Sequence, residues 1–172
     1  TQYEGPNGEH YLELSQEEKD LIETARDTFG TVIVLYNGAN AMELGFLEEM
    51  DIDAALWVGD PGAYGFEAVG QILNGEINPS GRLTDTYAYD ALSAPAMENY
   101  GNNTYTNISA FDSDDSEGNA HFVDYVEGIY VGYKWYETAD AEGYFEKAGT
   151  SYEEVVQYPF GYGLSYTGFT QE

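Results

Sequence analysis

One feature of the sequence constrains the fold of this chain more than any other. It is an apolar run that ends in a turn rich in Gly and Pro and is followed at once by a helical pattern. The run covers residues 54–58, the turn covers 59–65, and the apolar spacing beyond it predicts a helix over 66–73. This strand–turn–helix order places the helix N-terminus at the carboxyl end of the strand. Ligands bind at that edge in open α/β sheets, so the turn marks a candidate site.

The patterns before this unit agree with the same fold class. Ser15 followed by Glu18 forms a capping box, which predicts the start of a helix that Gly30 ends. Residues 31–36 are a continuous apolar and β-branched run, and like 54–58 they predict a strand buried on both faces. A short helix is predicted within residues 42–50. The alternation predicts an α/β fold with a mainly parallel sheet flanked by helices on both faces, an α/β sandwich.

The second half of the chain has a weaker pattern. Residues 91–120 predict a long acidic loop, and the acidic run at 112–118 lacks the ligand spacing of a calcium loop. The aromatic segment 122–136 fits a helix and a strand equally well. Residues 157–169 form a closing segment rich in Gly and Tyr.

Charge excludes several classes of partner. The chain carries 5 Lys and Arg residues against 32 Asp and Glu residues, which gives a formal net charge of −27. The net charge of a small soluble domain is usually only about 2–8 in magnitude. Nucleic acids and anionic membranes would be repelled, while a neutral sugar is compatible. With no cysteine, disulfides and thiolate metal sites are excluded, and no metal or other cofactor is predicted.

Four blocks of sequence carry a family resemblance. They are Gly59-Asp60-Pro61-Gly62, Asn78-Pro79-Ser80-Gly81-Arg82-Leu83, Glu127-Gly128-Ile129-Tyr130-Val131-Gly132-Tyr133 and Pro159-Phe160-Gly161-Tyr162-Gly163-Leu164-Ser165-Tyr166. In this order they resemble the C-terminal α/β-sandwich domain of glycoside hydrolase family 3, which includes β-glucosidases. The resemblance implies a partial domain over residues 1–167, incomplete at its N-terminal side. It also implies that residues 168–172 begin a linker to another domain.

The resemblance also implies a reaction. Family members hydrolyse glycosides with retention, with a nucleophilic aspartate on a barrel domain that this chain lacks and an acid/base glutamate in a Glu-Gly element. Glu4-Gly5, ahead of Leu12, matches that element in position, although the Asp-Arg that usually follows is missing. Glu4 is therefore the candidate acid/base. The alternative is that Glu4 is a loop carboxylate and that the acid/base precedes Thr1.

Three further residues are candidate substrate-binding groups. Asp60 lies in the turn at the ligand edge and disfavours a bound phosphate there. Glu127 lies among aromatic residues, and the alternative is a structural hydrogen bond to the backbone or to Arg82. Trp135 could stack on a sugar or pack in the core. His10 and His121 are predicted to be separate surface residues.

Two functions from different classes follow. The first is a part of a retaining, exo-acting glycoside hydrolase, a β-glucosidase or a relative, that forms one side of the active-site cleft. Its partners are a neutral oligosaccharide or glycoside and the missing barrel domain. The alternative is a stand-alone, non-catalytic α/β module that binds carbohydrate or a partner chain, which the 17 tyrosines favour.

Overall fold

The computed structural model of the chain describes residues 10–99, 103–105, 107 and 121–168. Within these residues the chain forms seven helices and four strands. In chain order they are α1 (Gln16–Thr28), β1 (Ile33–Tyr36), α2 (Phe46–Glu49), β2 (Ala54–Trp57), α3 (Phe66–Leu73), β3 (Tyr87–Ala88), α4 (Pro95–Glu98), α5 (Tyr133–Ala141), α6 (Tyr144–Ala148), α7 (Tyr152–Val155) and β4 (Val156–Tyr158). None of these helices is long and apolar enough to cross a membrane.

Helix α1 begins at the predicted capping box. The Ser15 side chain accepts a hydrogen bond from the Glu18 backbone N–H, and the Glu18 carboxylate accepts one from the Ser15 N–H at 2.9 Å. Two N–H groups that the first helical turn leaves unpaired are thereby satisfied. The helix ends earlier than predicted, because Phe29 already has extended backbone angles and acts as the C-cap in place of Gly30.

The strands form two separate pairs. β1 and β2 are parallel, with Ile33 opposite Ala54 and Tyr36 opposite Trp57, and the short helix α2 lies in their connection. β3 and β4 are antiparallel. The described residues therefore contain helices and two small sheets, of which one is parallel.

The prediction that β1 and β2 are buried on both faces is wrong for the described residues. Along β1, Ile33 and Leu35 are 45% and 42% exposed, whereas Val34 and Tyr36 are partly buried. Successive side chains of a strand point to opposite faces, so one face is covered and the other is open. The covered face packs on Leu44 and its neighbours. The apolar run predicted that other elements would pack on both faces of the strand, but the described residues pack on only one of them.

Two apolar clusters form the core, and β3 lies between them. The first cluster contains Ala88, Ala94, Tyr136, Ala139, Phe145 and Val156. The second contains Leu14, Leu44, Phe46, Leu47 and Tyr87. Because neighbouring residues of a strand face opposite ways, Tyr87 packs in the second cluster while Ala88 packs in the first.

The weakly patterned segments take irregular structure. Of the predicted acidic loop, the described part contains α4 and an isolated bridge between Thr104 and His121, and the run 112–118 lies outside the described residues. The ambiguous segment 122–136 is a turn followed by the beginning of α5. Glycines with positive φ at 128 and 132 interrupt it, which explains why neither periodic template fits throughout.

We expect the isolated chain to self-associate at micromolar concentration, as measured by light scattering. Apolar side chains of α1 and β1, including Leu21 and Leu35, are exposed, and an open strand pair is a template for association. The net charge of −27 opposes association, so added salt should increase it.

Two substitutions make this prediction specific. Leu35→Lys should reduce association because it places a charge on the open face of β1. Leu164→Lys is the matched control, since Leu164 is also exposed but lies in the C-terminal segment. A compact, cooperatively unfolding monomer at micromolar concentration would contradict the prediction.

Candidate functional site

The turn between β2 and α3 is built by glycines. Gly59 and Gly62 have φ values of 65° and 61°, and the Gly65 N–H donates a 3.0 Å hydrogen bond to the Pro61 carbonyl. A Cβ at Gly65 would overlap that same carbonyl oxygen. These residues therefore allow the tight reversal from strand to helix, which is an architectural role.

A small cavity lies beyond the carboxyl ends of β1 and β2, where ligands gather in α/β folds. It has a volume of about 120 Å³, and we call it the carboxyl-edge cavity; its lining residues are Ala39, Ala41, Trp57, Thr84, Asp85 and Tyr87. The Trp57 indole N–H donates to the Gly38 carbonyl at 2.9 Å, which fixes the loop after β1. The Asp85 Oδ1 accepts a hydrogen bond from the Thr86 N–H at 2.8 Å.

Asp60 does not line the carboxyl-edge cavity. Its side chain is exposed in the turn after β2. The carboxylate that does line the cavity, Asp85, was missed by the sequence analysis. The available signal was an acidic residue inside the short β-rich run after Leu83. Burial, together with the nearby Tyr36 and Asp85, raises the pKa of the Tyr87 hydroxyl in this cavity to about 12.

A larger cavity brings together Glu127 and Trp135. It has a volume of about 230 Å³, and we call it the aromatic cavity; its lining residues are Glu127, Tyr130, Trp135, Thr138, Ala139, Glu142 and Tyr144. Four of these residues lie on α5 or at its C-cap, at the spacing 135, 138, 139 and 142, which is one face of a helix. Sequence analysis missed Thr138, Glu142 and Tyr144, and this spacing was the available signal for Thr138 and Glu142.

Backbone turns fix the conformation of the chain at Glu127, one of the residues that line the aromatic cavity. The Gly128 N–H donates to the Tyr125 carbonyl at 2.9 Å, and the Tyr130 N–H donates to the Glu127 carbonyl at 3.2 Å. Gly128 has a φ of 61°, a conformation that L residues with side chains rarely adopt. The turn therefore fixes the position from which the Glu127 side chain leaves the backbone.

The expected structural hydrogen bond of Glu127 is not found. Both carboxylate oxygens are shielded from solvent, and neither has a hydrogen-bond partner among the described residues. Arg82 instead lies against Gly163, where a Cβ would stand 2.9 Å from the Arg82 Cδ. Within the described residues, the Glu127 carboxylate is therefore neither bonded to Arg82 nor presented to solvent.

His10 is paired, contrary to the prediction of a separate surface histidine. Its Nδ1 accepts from the Leu12 N–H at 3.2 Å, so in the neutral ring Nε2 carries the proton and donates to Glu43 Oε1 at 3.0 Å. The same Glu43 oxygen accepts from the Ala91 N–H at 2.9 Å. This cluster ties the segment before α1 to the loop after β1, which is a structural role. His121 is exposed, as predicted.

Glu4, the candidate acid/base, lies outside the described residues, so its place relative to the two cavities stays a prediction. Within the part of the chain that the structure describes, no three His, Asp or Glu side chains converge as a group that could hold a metal ion.

Comparison with known proteins identifies the family. Residues 3–133 match the family model of the glycosyl hydrolase family 3 C-terminal domain. The chain belongs to this family. The resemblance that the four sequence blocks indicated is thereby confirmed.

Relatives and solved structures agree with this assignment. The family 3 domain is 34% identical to a β-glucosidase of Ruminococcus albus over 91% of its length and 34% identical to β-glucosidase A of Butyrivibrio fibrisolvens over 96%. It spans 13% and 17% of those two proteins. A β-glucosidase from Paenibacillus barengoltzii superposes with a TM-score of 0.69 at 31% identity, covering 92% of this family 3 domain and 14% of that chain. A β-D-glucoside glucohydrolase from Trichoderma reesei shares the fold, with a TM-score of 0.58 at 24% identity, covering 95% and 19%.

Proposed function

We propose that this chain is the part of a retaining, exo-acting glycoside hydrolase, a β-glucosidase or a related enzyme, that forms one side of the active-site cleft. The observation that carries the proposal is 34% identity to two proteins named β-glucosidase across more than nine-tenths of the chain. Because the chain spans less than a fifth of each, most of the enzyme, including the barrel with the nucleophile, is assigned to other parts of the molecule.

The carboxyl-edge cavity supports this proposal. It lies where α/β folds bind ligands, and it combines the Asp85 carboxylate with the Trp57 indole. A carboxylate accepts hydrogen bonds from sugar hydroxyls, and an indole packs on the apolar face of a sugar ring. Asp60, exposed in the adjoining turn, would contact the part of the glycoside that extends beyond the cavity.

The reaction needs two carboxyl groups on opposite sides of the glycosidic bond. We assign the acid/base role to Glu4 and the nucleophilic role to an aspartate of the barrel. The first group protonates the leaving oxygen and then removes a proton from the attacking water, while the second forms and releases the glycosyl intermediate. This chemistry uses no metal and no organic cofactor.

We also infer the finer architecture. The β1–β2 pair belongs to a mainly parallel sheet flanked by helices on both faces, in a partial sandwich domain over residues 1–167. The open face of β1, with Ile33 and Leu35, supports this because apolar strand faces are normally covered. Residues 91–120 form its long acidic loop, and residues 168–172 begin a linker.

The test is turnover of an aryl β-glucoside. The isolated 172-residue chain should be inactive because one carboxyl of the pair is absent, and the chain joined to its barrel should be active. Clear turnover by the purified chain alone would overturn the proposal. Titration calorimetry with oligosaccharides tests the alternative, since tight binding by the chain alone would favour a stand-alone module.

A further inference from the structure

Two of the four sequence blocks lie side by side in the structure. Residues 78–83 run antiparallel to residues 159–167, which we call the closing strap, and the proposed function assigns no role to either segment. The Leu83 N–H donates to the Tyr162 carbonyl at 2.8 Å, and the Gly161 N–H donates to the Leu83 carbonyl at 2.8 Å. This exchange of backbone hydrogen bonds, typical of antiparallel strands, joins the strap to Leu83.

Gly163 brings the two segments into close contact. A Cβ at Gly163 would stand 2.7 Å from the Gly81 carbonyl oxygen and 2.9 Å from the Arg82 Cδ, closer than atoms without a bond approach one another. A glycine is therefore required for the strap to lie this near to the segment before Leu83. The start of the strap is attached separately, because Phe160 stacks on Tyr133 of α5 with ring centroids 4.1 Å apart.

The side-chain amide of Asn78 bonds to three consecutive residues at the end of the closing strap. Its Oδ1 accepts from the Ser165 hydroxyl at 2.9 Å and from the Tyr166 N–H at 2.8 Å. Its Nδ2 donates to the Thr167 hydroxyl oxygen at 2.9 Å. One half-buried side chain therefore satisfies polar groups of the strap beyond the point where backbone pairing ends.

Apolar burial does little to hold this end of the strap. Leu164 is 76% exposed and Tyr166 is 61% exposed, and hydrophobic stabilisation is proportional to the apolar area removed from water. The Tyr166 hydroxyl adds one polar contact, a 2.9 Å hydrogen bond to the Ile72 carbonyl at the end of α3. The end of the strap is therefore held mainly by hydrogen bonds, and most of them are made by Asn78.

The closing strap is also connected to the carboxyl-edge cavity. Leu83, which exchanges two backbone hydrogen bonds with the strap, directly precedes Thr84 and Asp85, and these two residues line that cavity. The Leu83 side chain packs on the apolar cluster around Leu44. The backbone that leads into the cavity wall is therefore fixed by this cluster through its side chain and by the strap through its N–H and C=O groups.

We propose that Asn78 fastens the closing strap, and that the fastened strap holds Thr84 and Asp85 in place at the carboxyl-edge cavity. Asn78 is thus a positioning residue that acts on the cavity through the strap and Leu83. The use of this fixed cavity wall for a glycoside rests on the proposed function, whereas the fastening itself does not depend on it.

Amide hydrogen exchange of the 172-residue chain, followed by NMR, measures the fastening. Asn78→Ala should speed the exchange of the Tyr166 N–H roughly tenfold or more, because this N–H loses its acceptor. It should speed the exchange of the Leu83 N–H by a smaller factor, because the strap opens from its end and Leu83 is paired further along it.

Two further changes at asparagines test whether the side-chain bonds are responsible. Asn78→Asp keeps an acceptor for the Tyr166 N–H, so most of the protection of this amide should remain. Asn74→Ala is the matched control. Asn74 is the C-cap of α3 and its side-chain amide bonds to Glu76, so its replacement should leave exchange in the strap unchanged.

A pair of glycine variants tests the contact between the two segments. Gly163→Ala places a Cβ against the Gly81 carbonyl and forces the segments apart, so the amides of both Leu83 and Tyr166 should exchange faster. Gly168→Ala is the control, because a Cβ at Gly168 would meet no atom within 4 Å. This variant should exchange like the parent chain.

Three outcomes would overturn the inference. The first is unchanged exchange of the Tyr166 N–H in Asn78→Ala, and the second is faster exchange of Tyr166 with no change at Leu83. The third is equal acceleration of amides throughout the chain, including α1, which would show a general loss of stability. The proposed function fails separately: if the strap responds as expected but the barrel-joined enzyme hydrolyses no aryl glycoside, the fastening stands and the hydrolase assignment falls.

Discussion

In the barrel-joined enzyme, Glu4→Gln should reduce hydrolysis of substrates with poor leaving groups by about 10²- to 10⁴-fold, the usual contribution of general acid catalysis. Activated aryl glycosides need little protonation of the leaving oxygen, so their glycosylation step should lose much less. Azide should partly restore turnover, because this anion replaces water without help from a general base. Steady-state and burst kinetics on both substrate classes measure these effects.

Glu9→Gln is the matched control for this experiment. Glu9 is a second glutamate of the same segment but does not belong to a Glu-Gly element, so its replacement should leave the dependence on the leaving group unchanged. If Glu4→Gln and the parent enzyme have equal activity on both substrate classes, Glu4 is a loop carboxylate. The acid/base would then lie elsewhere in the enzyme.

The folded chain should lose stability steeply between pH 10 and pH 12. Tyr87 is 3% exposed, and burial first, then Tyr36 and Asp85, raises its pKa from 10.0 to about 12. A raised pKa in the folded state means that the neutral hydroxyl contributes stability below pH 10, which is lost as the pH rises towards 12. For Tyr87 alone the loss amounts to about 2 to 3 kcal/mol, at about 1.4 kcal/mol per pKa unit.

Other tyrosines act in the same direction. Burial, together with a 2.7 Å hydrogen bond that the hydroxyl donates to Glu137, raises the pKa of Tyr152. Burial is also the largest cause of the raised pKa values of Tyr36, Tyr89, Tyr136 and Tyr158. In the folded state the surroundings of each of these hydroxyls favour its neutral form. The loss of folding stability at alkaline pH should therefore exceed the loss due to Tyr87 alone.

Urea unfolding at a series of pH values measures this loss. Tyr87→Phe should flatten the curve between pH 10 and pH 12 because it removes the group with the shifted pKa. Tyr64→Phe is the control, since Tyr64 is 90% exposed and its replacement should leave the slope unchanged. Constant stability across this pH range would mean that the Tyr87 hydroxyl ionises as freely in the folded chain as in the unfolded one.

Local signals in the sequence predicted several elements well. The capping box at Ser15 set the start of α1, and the apolar spacing after the Gly59–Gly65 turn predicted α3 with the bounds it has. Parallel pairing of β1 and β2 followed from a helix between two short apolar runs. These features depend on hydrogen bonds and periodicity within a few residues, which the sequence carries directly.

The cavities could be predicted only in part. Glu127 and Trp135 were separate candidates, and the structure brings them together because Gly132 ends an irregular turn and starts α5. Asp85 and the pairing of His10 with Glu43 were missed, since each depends on segments that are distant in the sequence. Burial of β1 and β2 on both faces was predicted wrongly for the described residues, because the covering of a strand depends on which elements pack on each face.

The two residues of β3 belong to two different apolar clusters. If the cluster around Phe145 opens, Ala88 loses the packing that holds the β3 backbone, and Tyr87 can no longer keep its place in the cluster around Leu44. Opening from the Leu44 side has the reciprocal effect. We therefore expect the two clusters to be coupled through β3, so that opening of one lowers the stability of the other.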